Sequence, residues 1–529
     1  MVSYQNSGYF SKIIIDYLNQ HQDLKSFYNR FPSLENFKLQ LEEKANTYNH
    51  DYREVLVQAL RNQYQEVAIS ENTKNNIDAL QDKHTFSITT GHQLNIFTGP
   101  LYFIYKIVSV INLCKQLQLE YPEHQFVPIY WMATEDHDFA EINHFQYHNT
   151  KLQWNNPEAS GAVGRLSTQG LDEVYEKFCN EIGSGIHATY LKELFKQAYL
   201  EHSNLASATR FLVNELFQNE GLIIVDGDSK ELKQLFVPYV KQELMQQISY
   251  REVSNTITKL KDNYDIQVNP REINLFYIDN NLRERIVLEN DVYKVNNTTI
   301  RFTAQELEQE LENNPEKFSP NVILRPLYQE TILPNLCYIG GGGELAYWFE
   351  LKSNFDVQGV TFPILLLRNS VVLLTEKMQK KIEKLHLTWN DLFLPSTLLS
   401  TQKAKQFSKF NIDFSDQKEH LKKQFNSLQD IAARTDKSFL KALKAQEKKQ
   451  ILGLEHLEKR LLKAEKKVYA DKLKRILAIQ AILFPKQSLQ ERVSNFSEYY
   501  QNNGSLLFTL LFNHLDPLSQ NFSIILLPN

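Results

Sequence analysis

Between residues 8 and 80, apolar positions recur at three- and four-residue spacing through IIIDYL, LENFKLQLEE and VLVQALRNQY. The other face is mostly charged, which predicts a lead-in of amphipathic helices over residues 1–82. The period then changes. Short apolar or β-branched runs follow: TFSITT (85–90), FVPIYWM (126–132), LIIVD (222–226), VILRPL (322–327), LCYIG (336–340) and FPILLLR (362–368). Helical stretches separate them, beginning with the apolar LYFIYKIVSVINLCKQL (101–117). Buried strands alternating with helices predict a parallel sheet covered on both faces. Two segments break the alternation, about 145–220 and 274–303. The second alternates polar and apolar residues and reads as an antiparallel meander inserted into the sheet domain.

From about residue 401 the pattern becomes helical and stays so to 482. Leu421, Phe425, Leu428 and Ala432 form one stripe; Phe439, Leu443, Ile451, Leu454, Leu457, Leu461, Val468 and Leu473 form another. Thr435 or Asp436 offers a helix start between them. The expectation is an antiparallel coiled-coil arm. Residues 483–529 return to mixed helix and strand and are expected to rejoin the sheet domain, whose span is read as 83–400. The fold class is therefore α/β, a parallel sheet core with inserted segments plus an α-helical coiled coil.

Composition narrows the function classes. The 529 residues carry a net charge of −5, which offers no field for nucleic acid or anionic lipid. The arm is locally basic, 12 Lys/Arg against 5 Asp/Glu over 441–480, but no aromatics interleave its lysines, so a solvated face is the simpler reading. Cys114, Cys179 and Cys337 are too few and too scattered for a disulfide framework or a zinc site. No run of about 18 apolar residues or leader pattern stands out. These features predict a soluble protein of a reducing, cytoplasmic compartment without a membrane or nucleic-acid partner.

Four stretches carry candidate chemistry. In TTGHQLNIFTGPLY, Gly91 allows close backbone approach, and His92 and Gln93 stand at a strand's carboxyl end, where open sheets bind ligands. Thr98 and Pro100 fit the start of the next helix. In MATEDHDFAEINH, six ionisable groups fall within ten residues: Glu135, Asp136, His137, Asp138, Glu141 and His144. On a helix His137 and Glu141 share a face, as do Glu141 and His144, which suits a divalent metal or an acid/base pair. In RPLYQETILPNLCYIGGGGELAYW, Arg325 could clamp a carboxylate and glycines 340–343 could form an anion nest; Tyr347 and Trp348 are as well explained by core packing. In LQERVSNF, Arg492 and Asn495 fit either a phosphate or a helix cap.

GHQLNIFTGPLYFIYKIVSVI, YWMATEDHDFAEINH and RPLYQETILPNLCYIGGGGELAYW, followed by a late LQER, together resemble the bacillithiol-biosynthesis cysteine-adding family, BshC. The resemblance implies a Rossmann-like core with connecting segments, similar to class I aminoacyl-tRNA synthetases, and a coiled coil used to form a homodimer. It implies joining of cysteine to glucosaminyl-malate, with ATP and magnesium as candidate cosubstrates. TTGHQ would stand where synthetases place their nucleotide signature, with one histidine rather than two. On this analogy His92, His137, Asp138 and Glu141 are catalytic candidates. Gln93, Asn95, Glu135, Asp136, Asn143, His144, Arg325, Gln329, Glu344, Tyr347 and Trp348 are substrate-binding candidates. Gly91, Gly341, Gly342, Gly343, Arg492 and Asn495 are nucleotide-binding candidates, and no metal ligand is assigned. A metal-dependent hydrolase using the 135–144 cluster, or a non-catalytic coiled-coil scaffold, are the alternatives.

Overall fold

In the computed structural model, which describes residues 2–528, the chain forms two compact units. The larger holds residues 9–373 and 490–528 with the N-terminal strand; the smaller is essentially 374–489.

The larger unit opens with helices, among them α1 (Leu34–Thr47), capped by Ser33. Strand β1 (Thr85–His92) is followed by the long helix α2 (Tyr102–Glu120), by β2 (Gln125–Met132) and by β3 (Ile223–Asp226). Helix α3 (Lys230–Gln246) leads to the meander: β4 (Leu275–Asp279), β5 (Leu282–Glu289), β6 (Val292–Val295), β7 (Arg301–Phe302) and β8 (Phe318–Pro320). Helix α4 (Leu324–Ile332), β9 (Asn335–Gly340), α5 (Gly342–Gln358) and β10 (Ile364–Leu367) complete the core.

The central sheet has the order β10-β9-β1-β2-β3, and all its pairings are parallel. The chain runs outward from β1 to β3, then returns to add β9 and β10 on the other side. The order thus reverses between β1 and β9, and a crevice opens beyond their carboxyl ends. Alternation along β1 sends Phe86 and Ile88 into a core shared with Val110, Leu113 and Leu117 of α2 and Phe37 and Leu41 of α1. Helix α2 is apolar nearly all round and almost fully buried, as a crossover between two layers should be.

The meander is a separate antiparallel sheet, β7-β6-β5-β4-β8. The 145–220 segment holds a hairpin, His144–Tyr147 with Thr150–Gln153, and three helices.

Several local expectations are corrected. VILRPL is a turn entering α4 rather than a strand: the Asn321 side chain accepts from the amides of Ile323 and Leu324, and Pro326 sits in the first turn, where its missing N–H costs nothing. Thr98 does not cap α2, which starts at Tyr102; Phe97 and Thr98 adopt positive φ (50° and 66°) in a tight turn. The helix expected across 137–144 shrinks to Phe139–Ile142, so His137 precedes it and His144 begins the hairpin.

In the smaller unit, α6 (Ser415–Ala433) and α7 (Lys437–Val468) pair antiparallel through Phe425, Ala432 and Leu443, and Lys418 bonds Glu458 at 2.8 Å. This unit begins at Leu374 rather than 401, because the preceding helices fold onto the arm's base. Gln480 donates to the carbonyls of Leu392 and Leu394, and Lys466 to Thr401.

Candidate active site

A cavity of about 580 Å³ lies at the carboxyl ends of β1, β2 and β9. Its lining comes from two sources, the sheet ends and the meander.

At the end of β1, a Cβ on Gly91 would stand 3.2 Å from the Tyr338 hydroxyl and 3.8 Å from Arg325 Nη1, so glycine keeps the crevice open. His92 is 7% exposed, with its ring 4.9 Å from Phe103. Its Nε2 is buried without a protein partner. Burial, then the charges of Lys106 and Arg368, hold its pKa well below the usual histidine value, so the ring is neutral at pH 7. Lys106, almost fully buried on α2, donates to the Gly91 carbonyl at 2.8 Å and to Glu344. The other Glu344 oxygen accepts from Tyr338 at 3.0 Å.

After β2 the carboxylates separate by partner. Glu135 meets Lys233 of α3 at 2.6 Å. Burial raises its pKa, and Lys233 opposes the shift. Asp136 accepts from the Gln93 amide and from the His137 backbone. Burial alone would raise its pKa, but hydrogen bonds from His137 and Gln93 together with Arg283 hold it well below the usual range. Asp138 accepts from the Glu141 amide and starts the short helix. Glu141 differs: no donor among the described residues reaches its carboxylate. Burial, then Asp136, Asp138 and Glu344, raise its pKa above the usual glutamate value. A carboxylate tuned toward neutrality and free to accept is a general-base candidate.

The meander contributes Phe276, Arg283 and Arg285. The Arg283 guanidinium lies 3.9 Å from the Phe276 ring, and its Nη1 donates to His137 Nδ1 at 2.7 Å. His137 Nδ1 also lies 3.4 Å from Asp136 Oδ1, so the ring sits between the guanidinium and the carboxylate. Arg283 Nε has no partner. Arg325 on α4 donates through Nη1 to Gln329 at 2.9 Å and also meets the Tyr347 hydroxyl, while its Nη2 is buried and unpartnered. Two buried arginine donors around one cavity, Arg283 Nε and Arg325 Nη2, lack protein acceptors, the signature of a site for an anionic ligand, and His92 Nε2 beside them is unpartnered too.

The family model described as "Bacillithiol biosynthesis BshC, N-terminal Rossmann-like domain" matches residues 1–369. A second, its "C-terminal coiled-coil domain", matches residues 371–527. The chain belongs to the bacillithiol-biosynthesis BshC family. A Flavobacterium psychrophilum relative named "Putative cysteine ligase BshC" is 60% identical over 525 residues, 99% of this chain and 98% of the relative. One of the same name from Flavobacterium johnsoniae is 57% identical, with 99% of each chain covered. A Bacillus cereus relative of that name is 30% identical over 94% of each. The BshC coiled-coil match extends through residues 490–527, which in the structure pack with the larger unit.

The sequence-derived BshC candidates divide accordingly. Gly91, His92, Gln93, Glu135, Asp136, His137, Glu141, Arg325, Glu344 and Tyr347 converge on the cavity. The other candidates lie outside its lining. Asn95 donates to the Glu141 carbonyl at 2.9 Å and so shapes the loop. Asn143 accepts from the Trp154 amide through its carbonyl and faces His144 through its side chain. Gln329 is fully buried behind Arg325, and Trp348 lies against Tyr338 at 4.6 Å in the core. Gly341, Gly342 and Gly343 are not a nest: none has positive φ, Gly341 precedes α5, and a Cβ on Gly342 would face Ile14 and Phe10. Asn495 is buried and clamps the strained turn, donating to the carbonyls of Phe97 (2.7 Å) and Gly99 (2.6 Å); Arg492 is exposed. The 135–144 cluster does not close around a metal, because Glu135 is committed to Lys233 and Asp136 to Gln93 and His137. Among the described residues no three His, Cys, Asp or Glu side chains converge as ligands.

Lys106, Lys233, Arg271, Arg283 and Arg285 were missed. Three of them left a readable signal. Lys106 is the one charged residue in the apolar run LYFIYKIVSVINLC, and Arg283 and Arg285 alternate in LRERIV, which places both on one face of a strand.

Proposed function

We propose that this chain is a carbon–nitrogen ligase that joins the carboxyl group of cysteine to the amine of glucosaminyl-malate. The observation that carries the reading is the set of unpartnered cationic donors beside a carboxylate of raised pKa, in one cavity at the switch point of a parallel sheet. Arg283, Arg285 and Arg325 suit the two malate carboxylates. Glu141 suits the sugar nitrogen: as the neutral amine attacks the activated carbonyl carbon, Glu141 takes the proton that the nitrogen loses and the activating group departs with the electrons of its C–O bond, and the raised pKa of Glu141 matches that task. His92, neutral and with Nε2 unpartnered, suits the oxygen that gains charge as the new C–N bond forms when Nε2 carries the ring proton. ATP with magnesium belongs to the proposal as the cosubstrate that activates the cysteine carboxylate. Lys106 keeps Glu344 and the Gly91 carbonyl fixed around that chemistry.

The test is incubation of the purified protein with cysteine and glucosaminyl-malate, with and without ATP and magnesium, followed by mass spectrometry. Amide product only with ATP is expected. Product without ATP would remove ATP from the proposal, and no product from folded protein under either condition would overturn it.

The enzyme is further proposed to act in the cytoplasm as a homodimer through the arm. Support for the dimer is the apolar surface that α6 and α7 leave exposed: Ile431 (56%), Leu457 (53%) and Val468 (69%). Light scattering should give twice the chain mass, and Leu457→Asp with Val468→Asp should give a monomer. A wild-type monomer at micromolar concentration would sink this part.

A further inference from the structure

Behind Arg325, away from the cavity, runs a chain of buried polar groups. Arg325 Nη1 donates to Gln329 Oε1 at 2.9 Å. Gln329 Nε2 donates to Glu330 Oε1 at 2.8 Å. The same oxygen accepts from Asn335 Nδ2 at 2.7 Å, and Asn335 Oδ1 accepts from Thr89 Oγ1 of β1 at 2.9 Å. Lys44 of α1 donates to the Glu330 carbonyl at 2.9 Å, with its ammonium 3.9 Å from Glu330 Oε2. Gln329, Glu330, Asn335 and Lys44 are all at most 1% exposed.

An amide has a donor end and an acceptor end, and here both ends of Gln329 are dictated. A guanidinium can only donate and an ionised carboxylate can only accept. The oxygen of Gln329 must therefore face Arg325, and its NH₂ must face Glu330. With Nη1 pinned, the rest of the guanidinium plane is fixed, and Nη2 is the nitrogen left without a protein partner. A buried carboxylate costs free energy unless something requires it, and Lys44 offsets that cost from a helix of the N-terminal lead-in.

We propose that Glu330 is a positioning residue: through Gln329 its Oε1 sets the orientation of Arg325, and Lys44 anchors Glu330 through its backbone carbonyl. This inference rests on the reading of Arg325 as a cation for a substrate carboxylate. It gives the lead-in helix α1 a role in the site that neither its sequence nor the cavity lining displays.

The test is a double-mutant cycle on the full chain, read by calorimetric titration with glucosaminyl-malate alone, so that no turnover is needed. Arg325→Ala, Gln329→Leu and Glu330→Ala should each weaken binding, by about tenfold for the two positioning variants, the worth of one charged hydrogen bond. Each double variant with Arg325→Ala should bind no more weakly than Arg325→Ala itself, because the effects pass through one guanidinium. Additive losses would mean a merely structural role and overturn the inference, as would unchanged affinity in folded Gln329→Leu. If Glu330→Ala does not fold, Glu330→Gln combined with Lys44→Met keeps the accepting oxygen and removes the stranded ammonium, and should restore affinity to within about twofold of wild type; failure to do so in a folded protein overturns the inference. If Arg325→Ala leaves affinity unchanged, the substrate role of Arg325 falls and the inference with it. If only the positioning variants are silent, the role of Arg325 stands and this inference alone falls.

Discussion

On the wall formed by the sheet ends, most charged side chains already have protein partners. Lys106 is held by the Gly91 carbonyl and Glu344, Glu135 by Lys233, and Asp136 by Gln93 and His137. On the wall formed by the meander, Arg283 leans on the Phe276 ring and the His137 ring instead of a carboxylate, and its Nε has no acceptor. The first wall is pre-organised: most of its charged groups are held without a ligand, while the uncharged His92 Nε2 and Gln93 Oε1 have no protein partner. The second carries cations whose acceptor must come from outside the chain. A pre-paired wall fixes geometry, and an under-paired one supplies binding energy.

Glu141 is the exception on the sheet wall, and altering it should have the largest effect. Glu141→Gln should lower the rate of amide formation by about 10²–10⁴-fold. The wild-type rate should rise with pH through a value above the ordinary glutamate pKa, because the base works only when ionised, and the variant should lack that limb. An unaltered pH–rate profile would return Glu141 to the structural residues.

Breaking the paired wall comes next. Lys106→Met strips Glu344 of its ammonium partner and should cost about 3 kcal/mol of stability by denaturant unfolding. A loss below about 1 kcal/mol would show that this wall does not depend on its ion pair.

On the other wall, Arg283→Ala should raise the KM for glucosaminyl-malate by about tenfold while stability changes by less than about 0.5 kcal/mol. Equal losses of stability and affinity would erase the distinction between the walls.

The smallest effect concerns pH and Glu350 of α5. This buried carboxylate accepts from the amides of Gln267 (2.7 Å) and Val268 (3.3 Å), in the loop that brings Asn269 and Arg271 to the cavity. Burial pushes its pKa up to about 7, against the two backbone hydrogen bonds. An acid whose folded pKa is raised binds its proton more tightly when folded. Its contribution is therefore full below the unfolded value and is lost as pH rises from the ordinary glutamate range to about 7. Unfolding measured at pH 5 and pH 8 should show a smaller pH dependence for Glu350→Gln than for wild type; the same dependence in both would exclude Glu350 as a source.

The sheet was legible because its strands are apolar runs punctuated by turns, and the crevice followed from strands ending at Gly91 and Met132. VILRPL was not, because a six-residue apolar run has no period to separate strand from helix, and Asn321, the residue that decides, lies just outside it. The carboxylate cluster was visible as a cluster, but which members were committed depended on Lys233 and Arg283, some 100 and 150 residues away in the chain. The glycine run suggested a nest, yet only a positive φ makes one, and composition does not reveal φ.

The chain leaves the larger unit at Leu373 and re-enters it at Gln490. Its first strand, Val2–Ser3, pairs with its last, Asn521–Leu527, Val2 opposite Phe522. On the ribosome, the arm-bearing unit is therefore fully translated while the cavity-bearing unit still waits for its closing segment. That segment carries Asn495, whose amide clamps the strained turn at Phe97 and Gly99. In the proposed arm-mediated dimer, the arms of two nascent chains are thus available to each other before either chain has a finished site, and assembly would precede competence.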